Sequence, residues 1–120
     1  MTSRIMSVTV DCENAAQLAG FWAQVLGTEV DPGQPDASEF FASIGRAGVG
    51  GGPMMMFIKV PEGKTAKNRV HLDLATDDRT AEVARLVQLG ATHLHDKDEW
   101  GVSWSTLADP EGNEFCVAQH

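Results

Sequence analysis

The feature that most constrains this chain is a strand-to-helix register that occurs twice. Ser7 stands seven residues before Asn14, and His71 stands seven before Asp78. In residues 5–12 the apolar Met6, Val8 and Val10 alternate with Ser7, Thr9 and Asp11, the period of a half-buried strand. Asn14 then reads as a helix N-cap, with Gln17 placed to close a capping box. Leu18, Phe21, Trp22, Val25 and Leu26 make one apolar stripe, and Gly27 supplies a C-terminal stop. The second copy opens with a strand over 69–75 and a helix capped at Asp77 or Asp78. That helix shows Val83, Leu86 and Val87 on its apolar face and stops at Gly90.

Three further strands follow each helix. In the first half, Glu29 and Val30 lead into an Asp31-Pro32-Gly33 turn, and strands over 38–44 and 54–60 come after it. A glycine-rich hairpin loop at 50–52, able to gate a cavity, precedes the last of them. In the second half, strands over 91–95, 102–108 and 114–118 are separated by the acidic stretch 96–99 and by a turn at Asp109-Pro110-Glu111-Gly112-Asn113. Each half therefore reads β-α-β-β-β, an internal duplication. One such unit has a single helix for a single sheet face, which leaves the other face and the edges unsatisfied. The expectation is an α+β fold in one domain: module one over about 5–60 and module two over about 69–118 form a curved mixed sheet with a concave, helix-free cavity.

At 120 residues a chain buries about two-thirds of its unfolded surface and needs no staple. Seventeen acids against nine Lys and Arg, a net charge of -8, argue against binding to nucleic acid or an anionic membrane. Cys12 and Cys116 are far apart in sequence and form no metal knuckle. The opening residues are too short and polar for a signal segment, so a cytoplasmic location is expected. Gly63-Lys64-Thr65 imitates the end of a phosphate loop, but Ile58 stands where that loop requires glycine.

Four segments carry a family likeness: residues 14–27 (NAAQLAGFWAQVLG), 57–64 (FIKVPEGK), 68–73 (NRVHLD) and 109–117 (DPEGNEFCV). With these the chain resembles the vicinal oxygen chelate superfamily (glyoxalase, bleomycin resistance and extradiol dioxygenase proteins), in its small glyoxalase-like branch. The D-P-x-G-N turn that opens the final strand is the most specific of the four. The resemblance implies the duplicated fold, a homodimer and, in metal-dependent relatives, one ligand on the first and last strand of each module. By register those positions fall on Ser7 and His71 at the opening strands and on Cys116 at the last. In module one the closing position falls within 54–58, on Met55 or Phe57. Only His71 matches the family's ligand chemistry, so the expectation is no metal and no cofactor. The alternative is a softer ion held by His71 and Cys116 with Glu114 as third donor.

His71 and Asp73 share one strand face, where a carboxylate beside an imidazole suits general acid–base work. They are the candidate catalytic residues. The candidate ligand-binding lining is Ser7, Asp11, Phe57, His71, Asp73, Trp104, Glu114 and Cys116, an acidic set favouring a cationic or polar compound. Trp100 and Trp104 are wide enough to stack on a planar ligand, whereas Trp22 belongs to the helix stripe and the core. His93 and His95, read as alternating across Leu94, would share a face. The expected function is binding or sequestration of a small organic compound without metal. The alternative is a lyase, isomerase or dioxygenase relative that uses His71 as base or metal ligand.

Overall fold

Alternation and caps produce the expected elements at the start of each module. The computed structural model describes residues 2–33, 36–48 and 52–120. The first strand, β1 (Ser7–Cys12), ends just before Asn14, whose Oδ1 accepts the Gln17 N–H at 3.1 Å and opens α1 (Ala15–Val25). Gly27 leaves the helix at φ 68, a left-handed value that glycine adopts without a Cβ penalty. The predicted stripe is buried except at its end: Leu18, Phe21, Trp22 and Val25 face inward, with Trp22 edge-on to Phe21, whereas Leu26 at the C-cap is exposed. They pack on β2 (Phe41–Ile44) and β3 (Met54–Lys59). The sheet order is β1-β3-β2, with β1 parallel and β2 antiparallel to β3.

A strand at Glu29 and Val30 does not form, so module one has three strands among the described residues. The reason is a side chain. The Asp31 carboxylate accepts the Ser43 hydroxyl at 2.8 Å and the N–H groups of Gly45 and Arg46 at 3.2 and 2.9 Å. Those bonds pin the segment to the end of β2, and Pro32 removes the next backbone donor. Most of the expected gating loop at 50–52 lies outside the described residues.

Module two begins with β4 (Leu72–Thr76). Asp78 caps α2 (Arg79–Leu89) by accepting the Ala81 N–H at 3.1 Å, and Gly90 ends it. Then follow β5 (Thr92–Glu99), β6 (Val102–Ala108) and β7 (Glu114–Gln119), in the order β4-β7-β6-β5. β4 runs parallel to β7, and β6 is antiparallel to both of its neighbours. The acidic stretch 96–99 is the second half of β5 and not a connection as the sequence suggested. An edge strand exposed along its whole length can carry consecutive charges, and they discourage pairing with another chain.

The Asp109 turn explains why its sequence is so particular. Asp109 is buried, and its Oδ1 accepts the N–H groups of Glu111 and Asn113 at 2.9 and 3.0 Å. The Asn113 amide adds a bond to Oδ2 at 3.0 Å and itself accepts from Asn68 at 2.8 Å. A carboxylate satisfied by its own turn can be buried at little cost. It fixes the entry to β7 and thereby the register of the chemistry-bearing residues on that strand.

The chain divides into two compact units, 1–63 and 64–120, one per module. The fold is mixed α+β, with three- and four-stranded sheets and two helices, and no described helix is long and apolar enough to cross a membrane.

Candidate functional site

Period-two alternation divides the module-two sheet into two faces. Leu72 and Leu74 of β4 point with the buried Phe115 and Val117 of β7 toward the side covered by α2. The intervening residues, Asp73 on β4 with Glu114 and Cys116 on β7, point the other way, together with His71 just before β4. A cavity of about 580 Å³ opens on that face. Of the candidate residues from the sequence, His71, Asp73, Trp104, Glu114 and Cys116 line it.

His71 Nε2 lies 3.4 Å from Asp73 Oδ1, and a ligating atom of each and Cys116 Sγ all fall within 4.8 Å of one another. Burial pushes the Cys116 thiol above its ordinary pKa; the negative charge of Asp73 acts in the same direction, and together they outweigh the Thr106 hydroxyl, 3.6 Å from Sγ. The sulfur is therefore held as a thiol at neutral pH. Glu114 does not join this group. Its carboxylate pairs with Lys67 at 3.6 Å, so the third donor beside His71 and Cys116 is Asp73 in place of Glu114.

These three residues make a mixed nitrogen, oxygen and sulfur set. Without a carboxylate at the β7 position it does not suit a hard ion such as Mg²⁺ or Mn²⁺, and only a thiophilic ion able to displace the thiol proton fits it.

In module one, Ser7 and Asp11 lie on the face of β1 that points away from α1, in register with Met54 and Ile58. Phe57 does not. It is fully buried and points to the helix side with Met55, so neither is the open-face residue of β3. Two-residue periodicity gives that place to Met56, which is in register with Thr9.

The hairpin between β5 and β6 supplies the other wall. Among the described residues Trp100 is the one non-glycine with positive φ, at 54°, and Gly101 follows at 74°. Two successive positive values make the tight primed turn that glycine, asparagine and aspartate favour. A bulky ring in that position costs about 1–3 kcal/mol of local strain. Trp100 is 88% exposed, and its ring lies 6.4 Å from that of Trp104 with the planes only 15° apart. Both rings line the cavity.

β5 also differs from its sequence reading. A register shift between His93 and His95 makes a bulge at Leu94, so the two imidazoles do not share a face. His95 and Lys97 line the cavity. His93 instead reaches Asp96, 2.8 Å away, which also accepts the Ser105 hydroxyl at 2.6 Å. Those bonds, that from Ser105 first and that from His93 second, hold the Asp96 carboxyl below the usual carboxylate range. Sequence reasoning missed Lys67, His95, Lys97, Thr106 and His120 as lining residues. Thr106 was readable from its two-residue spacing to Trp104, whereas His95 and Lys97 depend on the bulge.

A strand–helix module that occurs twice, each sheet carrying one helix, is the duplicated plan of a vicinal oxygen chelate fold. The family model for the glyoxalase-like domain matches residues 7–118, and the chain belongs to that family. Solved structures agree on the fold. An enzyme of the glyoxalase/bleomycin resistance protein/dioxygenase family from Burkholderia phytofirmans superposes with a TM-score of 0.75 at 18% identity, covering 98% of each chain. An antibiotic binding protein from a Streptomyces species gives 0.70 at 20% identity, over 98% of this chain and 96% of its own. A lactoylglutathione lyase from Agrobacterium tumefaciens gives 0.63 at 18%, over 99% and 95%. No curated protein matches by sequence.

Proposed function

We propose that this glyoxalase-like protein binds a small organic molecule on the open face of the module-two sheet and does so without a metal. The observation that carries the reading is the combination of an open cavity of about 580 Å³ with polar groups converging on its floor and two aromatic rings on its wall. His71 and Asp73 orient the ligand by hydrogen bonding, and Cys116, whose thiol pKa is pushed up by burial, is a poor nucleophile at neutral pH. The likeness in fold to an antibiotic binding protein supports a binding role. A cytoplasmic homodimer is the setting proposed for it.

The expected ligand charge needs revision. The two carboxylates of the cavity each face a base, Asp73 facing His71 and Glu114 facing Lys67. The two lysines of the lining, Lys67 and Lys97, balance these two carboxylates, so the cavity has no excess negative charge to favour a cation.

A second reading is favoured by one specific feature, the grouping of His71, Asp73 and Cys116 within 4.8 Å. A thiophilic divalent ion there would make the protein an enzyme of the lyase, isomerase or dioxygenase kind, with the ion as Lewis acid and His71 as ligand. One experiment separates the two: the protein is screened by thermal melting against small organic compounds before and after treatment with a chelator. The binding reading predicts ligand-induced rises in melting temperature that survive the chelator and compounds recovered chemically unchanged. Conversion of the compound, abolished by chelation and by His71→Ala, would replace it with the second reading.

A further inference from the structure

From the hairpin and the charges beside it we infer the ligand's chemical class: a planar aromatic compound carrying an acidic group, its ring laid on the Trp100–Trp104 stack and its anion directed to Lys97. The inference deepens the binding reading above and rests on it.

Three observations carry it. Trp100 occupies the first position of a primed two-residue turn, where left-handed backbone disfavours a large side chain and where asparagine or glycine is free of strain. Such a residue persists at an exposed tip because its ring has a use there, and packing is not that use, since it is 88% exposed. Second, the ring lies nearly parallel to that of Trp104 on the inner strand β6, so the pair presents one flat apolar wall to the cavity. A wall of this kind takes another flat π-system in preference to a saturated ring.

The third observation is the local charge. The chain carries a net charge of -8, yet the cavity does not share that sign. Its lining has Asp73 and Glu114 against Lys67 and Lys97, together with His71, His95 and His120. Glu114 is paired with Lys67 at 3.6 Å, and Asp73 lies 3.4 Å from His71 Nε2. Glu99, further along β5, does not line the cavity. Lys97 is left without an ion-pair partner among the described residues, directly across the β5–β6 ladder from Trp104. An aromatic wall beside one unmatched ammonium fits a carboxylate or phenolate on a flat ring, the ammonium supplying the charge-assisted bond.

The test uses the full chain and three probes: naphthoate, naphthylmethylammonium and cyclohexanecarboxylate. Binding is followed by quenching of tryptophan fluorescence and by melting temperature. Naphthoate is expected to bind most tightly, with its affinity reduced about three- to tenfold in Trp100→Asn and by a similar factor in Lys97→Gln. Trp100→Asn relieves backbone strain, so its melting temperature stays level or rises and misfolding does not imitate lost binding. Tighter binding of naphthylmethylammonium, or naphthoate binding indifferent to both substitutions, overturns the inference and leaves the cavity reading standing. If none of the three binds while other compounds in the thermal screen still do, the inference alone falls; if nothing in the screen binds, both fall.

Discussion

α1 buries seven of its eleven residues, whereas α2, of the same length, buries only Leu86. The open faces of the two sheets differ in the opposite sense. In module one that face carries Ser7, Thr9 and Asp11 with Met54, Met56 and Ile58 and, among the described residues, no imidazole or thiol. In module two it carries His71, Asp73, Glu114 and Cys116, extended across the sheet by Lys97 and His95. The same strand–helix plan thus serves two ends. The copy with the dense helix–sheet core has few groups capable of acid–base or ligand chemistry, and the copy with the sparse core holds nearly all of them. Duplication permits this division, because stability and binding need not be met by the same side chains.

Stability should separate the modules most sharply. Phe57→Ala empties a fully buried position under α1 and is expected to cost about 3–5 kcal/mol in urea unfolding, whereas His71→Ala on the open face should change it by less than about 1 kcal/mol. Equal costs would erase the distinction. Within module two the turn is the structural exception. Asp109→Ala leaves the N–H groups of Glu111 and Asn113 without their acceptor and should cost about 1–3 kcal/mol, with faster amide exchange along β7. A smaller gain is expected at the hairpin tip: Trp100→Asn should stabilise the chain by up to about 1 kcal/mol while weakening aromatic ligands, a reversal not seen where packing is the residue's purpose.

The weakest effect concerns acid. Asp96 has its folded pKa lowered by Ser105 and then His93, so the stability it contributes is present above the ordinary carboxylate pKa. It is lost as pH falls from that value through the lowered folded one. An NMR titration should find Asp96 below the usual range, and Ser105→Ala should move it back upward. An unchanged Asp96 in that variant would show that the hydroxyl does not hold the carboxylate.

Signals confined to a few consecutive residues were legible in the sequence. The caps at Asn14 and Asp78, the stripe of α1 and the Asp109 turn each depend on neighbours within one turn of chain, and all appear as expected apart from Leu26, which is exposed. What failed depended on long-range partners. Glu29 and Val30 looked like a strand, but the fate of that segment is decided by Asp31 reaching Ser43 and Arg46. The charges of 96–99 looked like a loop, but an edge strand tolerates them. In the site, His71, Asp73, Trp104, Glu114 and Cys116 were legible because unbroken alternation fixes their face. His95 and Lys97 were not, since one bulge reverses the parity of everything after it. Phe57 was placed on the wrong face by a register one residue out, the error to which a period of two is most sensitive.

The most direct test of where the chemistry resides is backbone amide shift mapping of the full chain during titration with naphthoate or a compound found in the thermal screen. Saturable shifts concentrated in β4, β6 and β7, around Asp73, Trp104 and Cys116, are the predicted result. Saturable shifts confined to β1 and β3, with the module-two sheet unmoved, would contradict it.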